Sequence, residues 1–292
     1  MDRIYFDNAA TTPLLNEVKE SMIAVINKHY GNPSSIHMLG RQSKIIVEDA
    51  RKIIAKGLNA STGEIFFTSG ATESNNMSII GSVRDLGVQR IISSSVEHHC
   101  ILHTLEFVKN EFDVEVVLLD VDSNGLINPN DLDQELSKSS AKTLVSLMHV
   151  NNEIGSVLDI VIISEITSKH NALFHCDTAQ SVGKIPIDLN ETKLAFISGA
   201  AHKFFGPKGV GFIYINSENQ INPLFHGGSQ ERGIRSGTEN IYGIAGMAKA
   251  YELANKEYDE RKLKITAIKE YFIKQAQTKI ADVEINGDPS LC

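Results

Sequence analysis

Cysteine is scarce in this sequence, and its three copies lie far apart, at Cys100, Cys176 and Cys292. Because their number is odd and no two form a CxxC pair, neither a disulfide framework nor a zinc site is indicated, and we expect free thiols and no bound metal. Basic residues are also few, since 28 Lys and Arg are outnumbered by 36 Asp and Glu, giving a net charge of −8. Nucleic acid is therefore not an expected partner, because binding its phosphates requires a basic surface.

Long apolar runs are missing as well. No run reaches the roughly 18 residues that a membrane-spanning helix requires. The first seven residues, MDRIYFD, lack the apolar segment of a signal peptide. We therefore expect a cytoplasmic protein that is not embedded in a membrane. With 292 residues, of which 42% are hydrophobic, the chain can bury the core of one large domain, or of one domain and part of another.

A regular alternation of strand and helix patterns begins near residue 64. Helical patterns such as 72–85 and 101–112 separate most of the strands. This alternation predicts an α/β fold with a mostly parallel sheet covered by helices on both faces. The seven predicted strands are 64–68, 90–94, 114–121, 143–150, 173–177, 194–198 and 211–215.

The alternation ends after residue 215, and two long helical patterns follow between 238 and about 277. A further strand and turn are predicted at 282–287, and we interpret them as the beginning of a smaller α/β domain that the sequence leaves incomplete. We assign residues 15–255 to the large domain, and 1–14 with 256–292 to part of the small one.

Lys203 lies between two apolar runs of strand length, in a turn rich in Gly and Pro. An amine at the end of a buried strand is partly desolvated, so its pKa can fall far enough for it to form a Schiff base with a carbonyl group. Pyridoxal 5'-phosphate is the commonest protein-bound carbonyl of this kind. A single loop lysine is more often merely solvated, so the interpretation depends on the rest of the chain.

Chemically useful residues follow several other predicted strands, where an open α/β sheet places its ligands. The turn before Thr72 opens a helix whose N-terminus can hold a phosphate. His98 can stack on a planar ring and exchange protons, Asn151 can donate to a ring oxygen, and Asp177 can pair with a protonated pyridine nitrogen. Each residue also has an ordinary explanation. Thr72 and Asp177 can cap helices, His98 can be a surface histidine, and Asn151 can belong to a loop-forming pair of asparagines. Together they supply what a pyridoxal phosphate site requires.

Six motifs carry a wider resemblance. They are DNAATTP at 7–13, GNPSS at 31–35, TSGATESNN at 68–76, MHVNNEIG at 148–155, HK at 202–203 and GGSQERGIRSGT at 227–238. With them the sequence resembles, nearly end to end, the class V aminotransferase superfamily, and specifically the cysteine desulfurases of the NifS/IscS type. The resemblance implies a pyridoxal-phosphate-dependent transferase of fold type I. Cysteine desulfurases of this type convert L-cysteine to L-alanine and pass the sulfur through an enzyme persulfide to iron–sulfur clusters or thio-cofactors.

The resemblance also implies roles for individual residues. It implies that the cofactor is covalently attached to Lys203, that Asp177 pairs with the pyridine nitrogen, and that His98 stacks on the cofactor ring. Thr238 would reach the cofactor of a second subunit, which implies a homodimer. Further cofactor contacts are implied for Ala71, Thr72, Asn151, Gln180, Ala200, Ala201 and His202, and substrate contacts for Ala10, Asn32 and Asn151.

The sequence departs from this family at two places. Ala200 stands where the family usually has serine, so we expect one hydroxyl contact to the phosphate to be replaced by backbone or water. The sulfur-accepting cysteine and the arginine that binds the substrate carboxylate lie beyond the position that matches Cys292. We therefore expect the sequence given to bind the cofactor as a dimer but to form little persulfide.

Other functions remain open at this point. Selenocysteine lyase or another carbon–sulfur lyase of the same superfamily uses the same cofactor residues. A non-catalytic cofactor-binding partner is a second alternative. A phosphate-binding regulatory domain is disfavoured, because it leaves Lys203 and Asp177 unexplained. A sulfur-accepting or scaffold protein is a further expected partner.

Overall fold

Residues 4–291 are described by the structure, a computed structural model, and they alternate between helices and strands. Cys100 and Cys176 are free thiols, whereas Cys292 lies outside the described residues. No helix within 4–291 is both long and apolar enough to cross a membrane. The helices are α1 (Asn16–Lys28), α2 (Met38–Gly57), α3 (Ala71–Arg84), α4 (His99–Phe112), α5 (Pro129–Ser137), α6 (Ile160–Lys169), α7 (Ile241–Lys256) and α8 (Tyr258–Lys279); the strands are β1 (Ile65–Thr68), β2 (Arg90–Ser94), β3 (Glu115–Leu119), β4 (Thr143–Met148), β5 (Leu173–Asp177), β6 (Phe196–Ala200) and β7 (Gly211–Ile215).

The seven strands form one sheet in the order β1-β7-β6-β5-β4-β2-β3. Pairing is parallel from β3 across to β6, and only β7 runs antiparallel to its two neighbours. The prediction of a mostly parallel seven-stranded sheet is confirmed. The predicted strand at 194–198 is shifted, because β6 continues to Ala200, which pairs with Gly211 of β7.

Both faces of the sheet are covered. Successive strand residues point to opposite faces, so Ile91 packs in a cluster with α3 and α4, whereas Ile92 joins the larger cluster that includes α2 and α7. The strands are consequently rich in apolar residues on both faces, and all residues of β1, β2, β4, β6 and β7 are buried.

The C-terminal part differs from the sequence-based expectation. Residues 281–288 form a turn, a bend and irregular backbone, followed by a short 3₁₀ helix at Pro289–Leu291, so the strand predicted at 282–287 is wrong. A single strand has no stability without a partner, and the described residues provide none here. Helix α8 buries none of its residues, and Leu263 and Phe272 are 73% and 70% exposed. The division into a large and a small domain stays a prediction.

A buried ion pair joins α2 to the loop before α7. Both Arg51 and Glu231 have side chains that are 2% exposed, and their two hydrogen bonds measure 2.8 and 2.9 Å. The same carboxylate accepts the Phe67 N–H at 2.7 Å, and Arg51 also donates to the Ile65 carbonyl at 2.6 Å. Since Glu231 has a φ of 45°, the ion pair holds this loop against β1 in a left-handed conformation.

Arg51→Met should destabilise the protein strongly, because it leaves the Glu231 carboxylate buried without its cation. We expect the free energy of unfolding to fall by about 3–5 kcal/mol, measured by urea denaturation. Lys52→Met is the matched control: its ammonium pairs with Asp49 at 2.8 Å on the exposed face of the same helix, and its removal should have little effect. Equal losses in the two variants would contradict the assigned role of the buried pair.

Candidate active site

A cavity of about 680 Å³ opens at the carboxyl ends of three neighbouring parallel strands. Its lining includes the last residues of β4, β5 and β6, which are Met148, Asp177 and Ala200. This is the edge of an open α/β sheet at which ligands usually bind. Of the residues singled out in the sequence, it brings together Ala10, Ala71, Thr72, His98, Asp177, Gln180, Ala200, His202 and Lys203.

Lys203 lies in the turn after β6, and its side chain is half-buried. Its Nζ donates to the carbonyl oxygens of Ala9 at 2.6 Å and Ala10 at 3.0 Å. Burial lowers the pKa of Lys203, and the charges of Asp177 and Asp7 oppose this shift without cancelling it. The amine is thus easier to deprotonate than an ordinary lysine, as a nucleophile requires.

Asp177 is buried at the end of β5, and three donors hold its carboxylate. Oδ2 accepts from Asn75 Nδ2 at 2.7 Å, while Oδ1 accepts from the Ala179 N–H at 2.9 Å and from Ser198 Oγ at 3.1 Å. The carboxylate is therefore fixed in orientation at the floor of the cavity.

A buried chain of polar side chains, not predicted from the sequence, lies behind Asp177. Asn75 Oδ1 lies 3.2 Å from His175 Nε2, and His175 Nδ1 lies 2.9 Å from Ser146 Oγ. Burial lowers the pKa of His175 to about 4, with the Asp177 charge opposing the shift, so the ring is neutral at physiological pH. A polar residue in an otherwise apolar strand was the available signal for His175, and Asn75 lay in the motif at 68–76.

The N-terminus of α3 borders the cavity, and its first-turn N–H groups are available to an anion. Glu73 in this turn pairs with Arg235 at 2.9 Å and accepts the Ser69 N–H at 2.8 Å. Burial by itself would raise the pKa of Glu73, but these hydrogen bonds outweigh burial and lower it. Lys208 also lines the cavity and was not among the predicted site residues.

His98 and Cys100 enter the cavity from the start of α4. His98 caps this helix, because its Nδ1 accepts the Cys100 N–H at 3.1 Å. In the neutral ring the proton therefore lies on Nε2. Burial, aided by the charge of Asp177, raises the pKa of the Cys100 thiol to about 11, so this thiol is protonated and a poor nucleophile at neutral pH.

Four of the predicted site residues lie elsewhere. The Asn151 side chain accepts the N–H groups of Glu153 and Ile154 in its own loop at 2.8 and 3.1 Å, and it donates to the Val96 carbonyl at 3.2 Å. Ala201 is fully buried, and Asn32 accepts the Ser34 N–H at 2.9 Å outside the cavity lining. Thr238 lines a separate cavity of about 100 Å³.

Glu97 is buried directly behind His98. Its Oε1 accepts from Ser94 Oγ at 2.8 Å and from the Met148 N–H at 3.1 Å, so it ties the loop before α4 to the end of β4. Burial, with a contribution from the Asp177 charge, raises the pKa of Glu97 to about 8.

Glu97→Gln should reduce the pH dependence of stability. The folded protein keeps a proton on Glu97 that the unfolded chain releases above its ordinary pKa of 4.5, so this residue's contribution to stability falls as the pH rises from about 4.5 to about 8. A glutamine stays neutral throughout. The melting temperature of the Glu97→Gln variant should therefore fall less over this pH range than that of the unmodified protein. The measurement is thermal unfolding without added ligand at several pH values. Exposed Glu106→Gln is the control, and parallel curves for Glu97→Gln and the unmodified protein would show that Glu97 does not titrate as expected.

Comparison with known proteins identifies relatives of this chain by sequence and by structure. The sequence profile of the family "Aminotransferase class-V" matches residues 4–290. The chain is 45% identical over 289 residues to "Cysteine desulfurase IscS" of Dictyoglomus turgidum, covering 98% of this chain and 73% of that protein. Among solved structures, a "NIFS-LIKE PROTEIN" has a TM-score of 0.94 at 36% identity, covering 99% of this chain and 79% of that one. "SspA in complex with cysteine" has a TM-score of 0.81 at 37% identity, covering 86% and 72%.

Proposed function

Because the chain belongs to the class V aminotransferase family, we propose that it is a pyridoxal-phosphate-dependent cysteine desulfurase that converts L-cysteine to L-alanine. One observation carries the proposal: an amine, a fixed carboxylate and a helix N-terminus line the same cavity, at Lys203, Asp177 and α3. The sulfur would pass to an enzyme persulfide, and from there to a protein that builds iron–sulfur clusters or thio-cofactors.

The groups around the cavity fit pyridoxal phosphate. Its aldehyde needs a primary amine with a lowered pKa, which Lys203 offers. Its ring nitrogen needs an acidic partner, and Asp177 lines the cavity with its orientation fixed. Its phosphate needs backbone donors, which the start of α3 supplies together with Thr72. Ala200 contributes no hydroxyl, so the phosphate would depend on these backbone groups.

When bound, pyridoxal phosphate withdraws electrons from the substrate carbon next to its amino group. The protein's part is to position groups and move protons. Lys203 Nζ, with its lowered pKa, takes a proton from this carbon. His98 lies on the cavity wall, and because its Nδ1 is occupied by the Cys100 N–H, its Nε2–H would donate a hydrogen bond to the bound substrate.

The remaining roles belong to the same proposal. Ala10 lines the cavity and would contact substrate, whereas Asn32 and Asn151 would do so only after their loops rearrange. Thr238 lies outside the Lys203 cavity. This position supports the proposal that Thr238 contacts the cofactor of the partner subunit in a homodimer. We also propose cytoplasmic localisation, a large domain at 15–255, and a part of the small domain at 1–14 and 256–292.

Lys203→Ala should abolish the visible absorbance band that forms when pyridoxal phosphate is added to the purified protein. Only a primary amine at this position can bond to the aldehyde carbon. Borohydride reduction and peptide mapping should place the label on Lys203. Lys208→Ala, in the same cavity, should keep the band. A label on Lys208 or Lys184 would overturn the assignment, and turnover of selenocysteine alone would favour a selenocysteine lyase.

Asp177→Asn should keep the cofactor attached but slow proton removal from the substrate carbon by about 10²-fold or more, because an amide cannot hold the ring nitrogen protonated. The measurement is exchange of the α-proton of L-cysteine and L-alanine in D₂O, followed by NMR. Cys100→Ala changes a neutral neighbour in the same cavity and should retain the exchange rate. An unchanged rate in Asp177→Asn would rule out the assigned role.

A further inference from the structure

A second lysine lies behind the cavity without lining it. Lys184 is in the turn after β5, and its Nζ donates to Gln180 Oε1 at 2.9 Å. Gln180 Nε2 in turn donates to the Ala9 carbonyl at 2.8 Å, the same oxygen that accepts from Lys203 Nζ at 2.6 Å. A continuous path of hydrogen bonds therefore connects Lys184 to Lys203 through Gln180, which does line the cavity.

The contact with Lys184 fixes which way the Gln180 amide points. An ammonium group can only donate hydrogen bonds, so the amide must turn its oxygen toward Lys184. The NH₂ end is then directed to Ala9 and the cavity. Without Lys184 the amide could rotate and present its oxygen there, which would repel an anionic oxygen of a ligand instead of binding it.

The surroundings of Lys184 are cationic. No carboxylate lies within ion-pair distance of Lys184 among residues 4–291. Burial, with a contribution from the charge of Lys203, lowers the pKa of Lys184 to about 8. Burial also lowers the pKa of His202, followed by the charges of Lys203, Lys208 and Lys184. The carboxylates of Asp177 and Asp7 act on this group of cations at Lys203, where they oppose the lowering of its pKa. Such an excess of positive charge suits an anionic ligand.

We propose that Lys184 is a positioning residue for the cofactor: it holds the Gln180 amide with its NH₂ toward the cavity and adds positive charge on that side. Gln180 then donates a hydrogen bond to an anionic oxygen of the bound ligand. This inference rests on the proposed function, since pyridoxal phosphate carries such an oxygen on its ring. Lys184 itself touches neither cofactor nor substrate and acts through Gln180.

Lys184→Met should weaken binding of pyridoxal phosphate to the cofactor-free protein by about tenfold, the effect of one hydrogen bond to a charged group. It should also raise the pH midpoint of the bound cofactor's absorbance change, because the anionic oxygen loses a donor and a nearby cation. Lys184→Arg keeps a donating cation and should restore both properties toward those of the unmodified protein. Both are measured by spectrophotometric titration, one against cofactor and one against pH.

A double-mutant cycle tests whether the effect passes through Gln180. In the Gln180→Ala background, Lys184→Met should cause little further loss, because the group that it positions is gone. Lys208→Met is the matched control, since Lys208 is another cation of this region but lines the cavity directly. Its effect should add to that of Gln180→Ala.

Normal binding and a normal midpoint in Lys184→Met would overturn the inference, as would full additivity with Gln180→Ala. If the Met variant does not fold by circular dichroism, Lys184→Gln, which keeps a donor but removes the charge, is measured in its place and should shift the pH midpoint in the same direction. The proposed function fails separately, if the unmodified protein forms no bond to pyridoxal phosphate at Lys203.

Discussion

The parallel register of β4, β5 and β6 is the constraint on which the candidate site depends. It sets Asp177 opposite Met148 on one side and opposite Ser198 on the other. The three strands therefore end at one edge, and the turn that carries Lys203 begins three residues beyond Ser198. A slip of one residue would turn Asp177 to the other face of the sheet, away from the cavity. The apolar filling of both faces prevents such a slip, because it would expose one core and bury the wrong side chains in the other.

Burial sets the chemistry of the site by favouring neutral forms. It lowers the pKa of Lys203 and of His175, and it raises that of Glu97 and Cys100. Asp177 sits among these groups, held by three hydrogen-bond donors. The oriented carboxylate is thus close to groups whose neutral forms burial favours, and Lys203 and Lys208 line the same cavity. This combination suits a ligand that carries both a cationic ring nitrogen and anionic groups.

Support for the site comes from segments far apart in the chain. In the N-terminal segment, the carbonyl oxygens of Ala9 and Ala10 accept hydrogen bonds from Lys203, which lies about two hundred residues away in the sequence. The loop before α7 is fixed by Glu231 to Arg51 of α2, and Arg235 of that loop reaches Glu73 at the start of α3. The site is therefore coupled to the packing of the whole sheet domain, although no single helix or strand contains it.

The sequence by itself was sufficient for the seven strands and for their alternation with helices, because each follows from a local pattern of apolar and turn residues. Its motifs also singled out Lys203, Asp177, Thr72 and His98, which line one cavity. Tertiary structure alone decided that β7 inserts antiparallel between β1 and β6, and that residues 282–287 form no strand. It also decided side-chain directions: Asn151 turns into its own loop, and Gln180 turns its oxygen to Lys184. The physical reason is that periodicity reports burial along one segment, whereas a hydrogen-bond partner or a pKa depends on groups that only folding brings within a few ångströms.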